Sequence, residues 1–151
     1  MVALARTAQN RRTGRTTLRE YARLKDSYRM PLFLSAEARH VLESHAERSY
    51  PEECCGLIFG KELSAHQREV HMVFPVENSE KTNRRMRFQV SAETLLQAHL
   101  EAQKRELDVV GLYHSHPDQT STASESDRIH AMPSWSYLIV SCMNGKCERI
   151  K

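Results

Sequence analysis

The apolar positions fall into a legible order from Met30 onward. "MPLFLS" (30–35) reads as the start of a first strand. Ser35 is placed to cap a helix over about 36–48, whose apolar residues Ala38, Val41, Leu42 and Ala46 recur at helical spacing, with Pro51 beyond its end. "CGLIFG" (55–60) and "VHMVFPV" (70–76) read as strands, "ENSEKTNRR" (77–85) as a polar loop, and the alternating "MRFQV" (86–90) as a short strand. Ser91 can cap a second helix over about 92–106, with Ala92, Leu96, Leu100 and Leu107 along one stripe. "DVVGLYHSH" (108–116) is a strand, a short helix near 124–131 follows, and then the strand "SYLIVSC" (136–142). Asn144–Gly145 is a two-residue hairpin turn that returns the chain through "CERIK". Strands alternating with helices in this order predict an α/β (α+β) architecture, a mixed sandwich on one central sheet.

Residues 1–29 break this pattern. They have few large apolar residues, and they carry eight basic side chains against two acidic ones. Three readings compete: a basic arm for an acidic partner, an Arg-rich transit peptide, or leader sequence ahead of a genuine start at Met30. The expected organisation is therefore a basic N-terminal extension, 1–29, and one domain, 30–151, with a C-terminus short enough to suggest truncation. From Met30 the balance is 14 basic to 17 acidic residues, so the net charge of +3 comes from the tail and gives no indication of nucleic-acid binding. No apolar run reaches the length of a membrane span, and the N-terminus has no secretory core; a cytoplasmic location with reduced cysteines is expected.

The chemistry concentrates in "YHSHP". On a strand, His114 and His116 share a face, which Leu112 and Val110 should continue into the core. Two imidazoles at a strand end suit a metal, although a bare His-x-His more often means one packed ring and one solvated ring. Seven residues follow His116 before Ser124, and Asp127 lies three further on. At a helix start these two can form a simple cap, yet the Asp127 carboxylate can also reach the strand end. Two histidines and a carboxylate give the three protein ligands of a catalytic zinc site. A general base could come from Glu53, which has the strand parity of Cys55, Leu57 and Phe59, or from Glu52 with the opposite parity; either could equally be a solvated loop carboxylate. His130 is a helix-face residue, and Trp135, Tyr113 and Phe59 are core or wall. Cys55 is a buried strand residue rather than a thiol nucleophile. Cys142 and Cys147 should face each other across the hairpin as thiols. The His-x-Glu and Pro-Cys-x-x-Cys of a zinc deaminase are not found.

Glu53 in "PEECCG", then "YHSHP", seven residues, Ser124, two residues and Asp127 together resemble the JAMM (MPN-plus) metallopeptidase family, in its compact bacterial form. Pro51-x-Glu53-x-Cys55-Gly56, Arg87-Phe88 and "YLIVS" support the likeness, which covers roughly 30–150. The resemblance implies a cytidine-deaminase-like, MPN-type mixed sheet flanked by helices. It implies one Zn2+ per chain, held by His114, His116 and Asp127, with Glu53 as the base that moves a water's proton to the leaving amine. Ser124 would stabilise the oxyanion. The implied substrate is a peptide or isopeptide bond at the C-terminal Gly-Gly tail of a ubiquitin-like sulfur-carrier protein. The alternatives are a non-catalytic MPN-type scaffold module and a metal-dependent hydrolase of a small amide or thiocarboxylate. Ala123 stands where the family often has proline, and the chain has no room for the long insertions of large deubiquitinases. Oligomeric state is not legible in these motifs.

Overall fold

A computed structural model describes residues 32–64, 67–132 and 134–151; the expectations for 1–29 lie outside the described residues. Six strands form one mixed sheet: β1 (Leu32–Phe33), β2 (Cys55–Ser64), β3 (Gln67–Val76), β4 (Asp108–Pro117), β5 (Ser136–Met143) and β6 (Lys146–Ile150). Their order across the sheet is β1-β3-β2-β4-β5-β6. The β1/β3 and β4/β5 pairs are parallel and the other neighbours antiparallel. Helix α1 (Ala36–Ser49) covers one face and α2 (Ala92–Lys104) the other; α3 (Glu125–His130) lies in the crossover between β4 and β5. This is the mixed sheet flanked by helices that the sequence predicts.

Each helix starts where a serine can accept an orphan amide. The Ser35 side chain accepts from the Ala38 amide and the Ser91 side chain from the Thr94 amide, both at 3.1 Å. Beneath α1, Ala38, Leu42 and Ala46 pack on Ile58, Val70, Val73, Tyr113 and Val140. The buried stripe of α2 differs from the sequence reading. Leu96 and Leu100 are 57% and 43% exposed, and the helix instead seats Ala98 and Ala102, with Leu95 beside them, on Leu57, Phe59 and Leu112. Alanines at i and i+4 bring the helix axis close to the sheet, and the large leucines are then left outside the contact.

Two further expectations are corrected. Residues 86–90 are not a strand. The Ser79 amide and hydroxyl both donate to the Gln89 carbonyl, and the Asn78 side chain donates to the Arg87 carbonyl and accepts from the Gln89 amide. A side chain thus replaces a neighbouring strand, and the alternation of "MRFQV" serves to bury Phe88 and Val90 against the α2 side. In β4, Val110 packs on the α1 side, whereas Leu112 packs on the α2 side. The register slips between Ile58 and Phe59, which pair with Gly111 and Val109, and the extra residue inverts the alternation. The histidines lie beyond the bulge, so they keep the parity of Leu112.

At the far edge the hairpin forms as predicted. Asn144 and Gly145 both have positive φ, 49° and 77°, as a type I′ turn requires. Cys142 stands opposite Cys147, and both are free thiols. No described helix is long and apolar enough to cross a membrane.

Candidate metal centre

The site forms where β4 ends beside the entry to β2. Cys55 pairs with His114. One step out, the Ser115 amide donates to the Cys54 carbonyl at 3.0 Å, and the Ser115 hydroxyl accepts the Cys54 amide at 2.8 Å. Continued one further step, the same register would set Glu53 opposite His116. Glu52, with the opposite parity, turns outward and pairs with Arg84 at 3.0 Å.

Both imidazoles are buried, and they converge through the same ring atom. His114 Nε2 and His116 Nε2 are 3.0 Å apart. His114 Nε2 lies 3.3 Å from Asp127 Oδ1, and His116 Nε2 lies 3.5 Å from Asp127 Oδ2. Donors at ~2.0–2.1 Å from a tetrahedral ion stand ~3.3 Å from one another; the three observed separations bracket that edge. The tautomer also fits. His116 Nδ1 is 2.8 Å from the Thr120 carbonyl, which can only accept, so Nδ1 carries the hydrogen and Nε2 of the neutral ring presents its lone pair inward. His114 Nδ1 is buried without a hydrogen-bond partner. That ring is held by stacking on Phe88, with centroids 4.5 Å apart and planes 25° from parallel. His114, His116 and Asp127 are thus a group able to hold one metal ion.

Helix α3 delivers the third member. Ser124 caps it: the Asp127 amide donates to Ser124 Oγ at 3.1 Å, and the Ser124 amide donates to Asp127 Oδ2 at 2.7 Å. The cap and the metal-site reading of the sequence therefore coexist, because the box that starts the helix also fixes the Asp127 carboxylate facing the histidines.

Charge follows from this packing. Burial pushes the His114 pKa down, partly opposed by its bond to Asp127. Burial pushes the Asp127 carboxyl up, but the His114 and Ser124 hydrogen bonds outweigh it and hold the group well below the usual carboxylate range. Glu53 is only 7% exposed, and its pKa is pushed up to about 8, first by burial and then by the Asp127 charge. A second carboxylate beside a dry, anionic centre is costly to ionise, and a cation there would relieve that cost.

Sequence reasoning missed what holds Glu53. Asn78 is buried, and both halves of its amide are used. Nδ2 donates to the Glu53 carbonyl and to the Arg87 carbonyl, each at 3.0 Å, and Oδ1 accepts the Glu80 amide at 3.0 Å and the Gln89 amide at 3.1 Å. The Glu53 amide donates to the Arg84 carbonyl at 2.7 Å. One side chain thereby ties the Glu53 segment to the segment that carries Phe88 onto His114. Within "ENSEKTNRR" nothing marks this asparagine off from ordinary loop polarity. His130 makes only local contacts to Ser126 and faces solvent.

Comparison with known proteins identifies the family. Residues 35–151 match the model of the prokaryotic homologues of the JAB domain. A protein named desampylase, from Haloferax volcanii, is 32% identical over 115 residues, covering 73% of this chain and 80% of its own. A solution structure from Desulfitobacterium hafniense superposes with a TM-score of 0.66 at 29% identity, covering 74% of this chain and 75% of the other. Another from Salinibacter ruber gives 0.60 at 30% identity, covering 80% and 78%. With a sheet, a His-His-Asp cluster and a family match that extends over most of its length, the chain belongs to the prokaryotic JAB-domain family.

Proposed function

We propose that this protein is a zinc-dependent peptidase or isopeptidase acting at the C-terminal tail of a ubiquitin-like protein, with a sulfur-carrier protein as the substrate class. The observation that carries the hydrolase reading is the convergence of His114 Nε2, His116 Nε2 and the Asp127 carboxylate beside a buried Glu53. A ubiquitin-like substrate, though not the sulfur-carrier class in particular, is what the relative named desampylase supports.

His114, His116 and Asp127 would hold the ion, and their single net negative charge suits a divalent cation with an open fourth position. Such an ion, when bound, would supply a water whose pKa is lowered to ~7 and polarise the scissile carbonyl. Glu53 then acts as the proton carrier. Its raised affinity for protons, moderated by the neighbouring cation, lets it take a proton at neutral pH and return it to the departing amine. Asn78 and the Cys54–Ser115 bonds hold its backbone while it does so. Ser124 uses an Oγ lone pair for the cap, so its O–H can turn from the Asp127 carboxylate toward a developing oxyanion. A scaffold module would have no need for a preorganised ligand set beside a buried glutamate, and a small-amide hydrolase is separated from this reading by the cleavage test below.

The test is intact-mass analysis of ubiquitin-like carrier proteins bearing a short extension after Gly-Gly, incubated with the zinc-loaded protein. Loss of the extension is expected from the wild type, and none from Glu53→Gln. Hydrolysis at the wild-type rate by Glu53→Gln would remove Glu53 as the base; no cleavage by a zinc-replete wild type of any carrier offered would defeat the peptidase reading.

A further inference from the structure

The loop that walls the metal centre carries an unusual charge. Four cations fall within residues 81–87: Lys81, Arg84, Arg85 and Arg87. The rest of the chain from Met30 holds only ten more against 17 acidic residues, so a basic rim sits on an otherwise acidic domain. Three contacts place that rim at the site. The Arg84 carbonyl accepts the Glu53 amide at 2.7 Å, Phe88 stacks on His114, and Gln119 Nε2, three residues past His116, donates to Met86 Sδ at 3.3 Å.

Most of this charge is not paired within the protein. Arg84 pairs with Glu52, but Lys81, Arg85 and Arg87 are exposed, and among the described residues none has a carboxylate within ion-pair distance. Glu80 trims this charge without cancelling it, because its Oε1 is turned inward onto the Lys81, Thr82 and Asn83 amides and the Thr82 hydroxyl. Asp118 is near enough to Arg85 to feel its charge, but it makes no ion pair with it, and its oxygens accept from the Tyr50 hydroxyl and the Asn144 amide. Met86, 56% exposed, stands between Arg85 and Arg87.

We infer that the 81–87 rim is the surface that selects the protein partner, and that the partner is acidic on the residues leading into its cleaved tail. This inference rests on the peptidase reading above and adds the chemistry of what is recognised. Exposed, unpaired cations beside a site speed encounter with an anionic partner and discriminate against a cationic one. A methionine between them supplies an adaptable apolar contact. The rim has no aromatic platform for bases, which favours an acidic protein over a nucleic acid.

The experiment uses two fluorescent peptides identical across Gly-Gly and a three-residue extension, preceded by four glutamates in one and four glutamines in the other. Anisotropy binding and cleavage are measured on the zinc-loaded full chain at low and high salt. The acidic peptide is expected to bind about tenfold tighter at low salt, with the preference collapsing at high salt. The double variant Arg85→Glu/Arg87→Glu should abolish or reverse that preference, and Lys61→Glu, at the far end of β2, should keep it. Equal binding of the two peptides by the wild type overturns the inference and leaves the peptidase reading standing. A binding preference without any cleavage upholds the rim and counts against the peptidase reading. Tighter binding of a 12-nucleotide RNA than of the acidic peptide overturns the choice of an acidic protein.

Discussion

Asn78→Ala tests the idea that the base-bearing segment and the wall of the metal centre are held by one side chain. The substitution removes four hydrogen bonds, each of 3.0–3.1 Å, from a residue only 4% exposed. The Glu53 carbonyl is the most buried of the abandoned partners, and leaving such a group unsatisfied costs ~1–3 kcal/mol. The Arg87 carbonyl and the Glu80 and Gln89 amides lie nearer solvent and recover part of their loss to water, so ~2–4 kcal/mol in all is expected. Urea denaturation of metal-free protein measures this as a lower midpoint at unchanged slope. The ligands sit on β4 and α3, which Asn78 does not touch, so zinc stoichiometry should stay at one. Turnover should fall through kcat rather than KM, because Glu53 loses its fixed position. Asn78→Asp sharpens the test: it keeps the two accepted bonds, replaces the donors with a charge facing two carbonyls, and should raise the pH needed for half-maximal rate. An Asn78→Ala protein within ~0.5 kcal/mol of wild type and equally active would refute the argument, since that is the scatter of an inconsequential surface change.

Other consequences follow from the same geometry. Because burial raises the Glu53 pKa from 4.5 to about 8, the metal-free folded state binds a proton that the unfolded chain has released; stability should therefore decline as pH rises through that window, by at most roughly 1.4 kcal/mol per unit. Thermal melts in chelator should show this slope in the wild type and lose it in Glu53→Gln; parallel slopes would show that Glu53 does not titrate there. His116→Ala removes a ligand whose tautomer is set by the Thr120 carbonyl, and bound zinc after dialysis should drop at least ~10-fold; metal analysis showing one full equivalent would exclude the assigned centre. Gly56→Ala should destabilise by ~2 kcal/mol or more, because a Cβ there would overlap the Tyr113 ring and stand 2.6 Å from the Phe74 carbonyl; an unchanged denaturation midpoint would show that the sheet can yield at that point.

Much of this protein is local in origin, and to that extent the sequence alone determines it. Ser35, Ser91 and Ser124 start helices because a serine hydroxyl can accept an amide two or three residues ahead, and Asn144–Gly145 turns because both residues tolerate positive φ. The His-x-His pair shares a face by strand parity, and its spacing to Ser124 and Asp127 is likewise written in the chain. What the sequence leaves open is every choice that depends on an element's partner. The stripe of α2 could be Leu96–Leu100 or Ala98–Ala102, and only close packing on Leu57, Phe59 and Leu112 selects the alanines. A bulge against β2 decides that Val110 leaves the face of His114, and the Asn78 side chain, not a neighbouring strand, takes the bonds that residues 86–90 offer. Strand parity and the motif favour Glu53 over the adjacent Glu52, but the burial of the one beside the histidines and the pairing of the other with Arg84 come only with the Cys54–Ser115 register. Periodicity and caps are properties of neighbours in the chain; register, burial and proton affinity are properties of neighbours in space, and the metal centre is made from both.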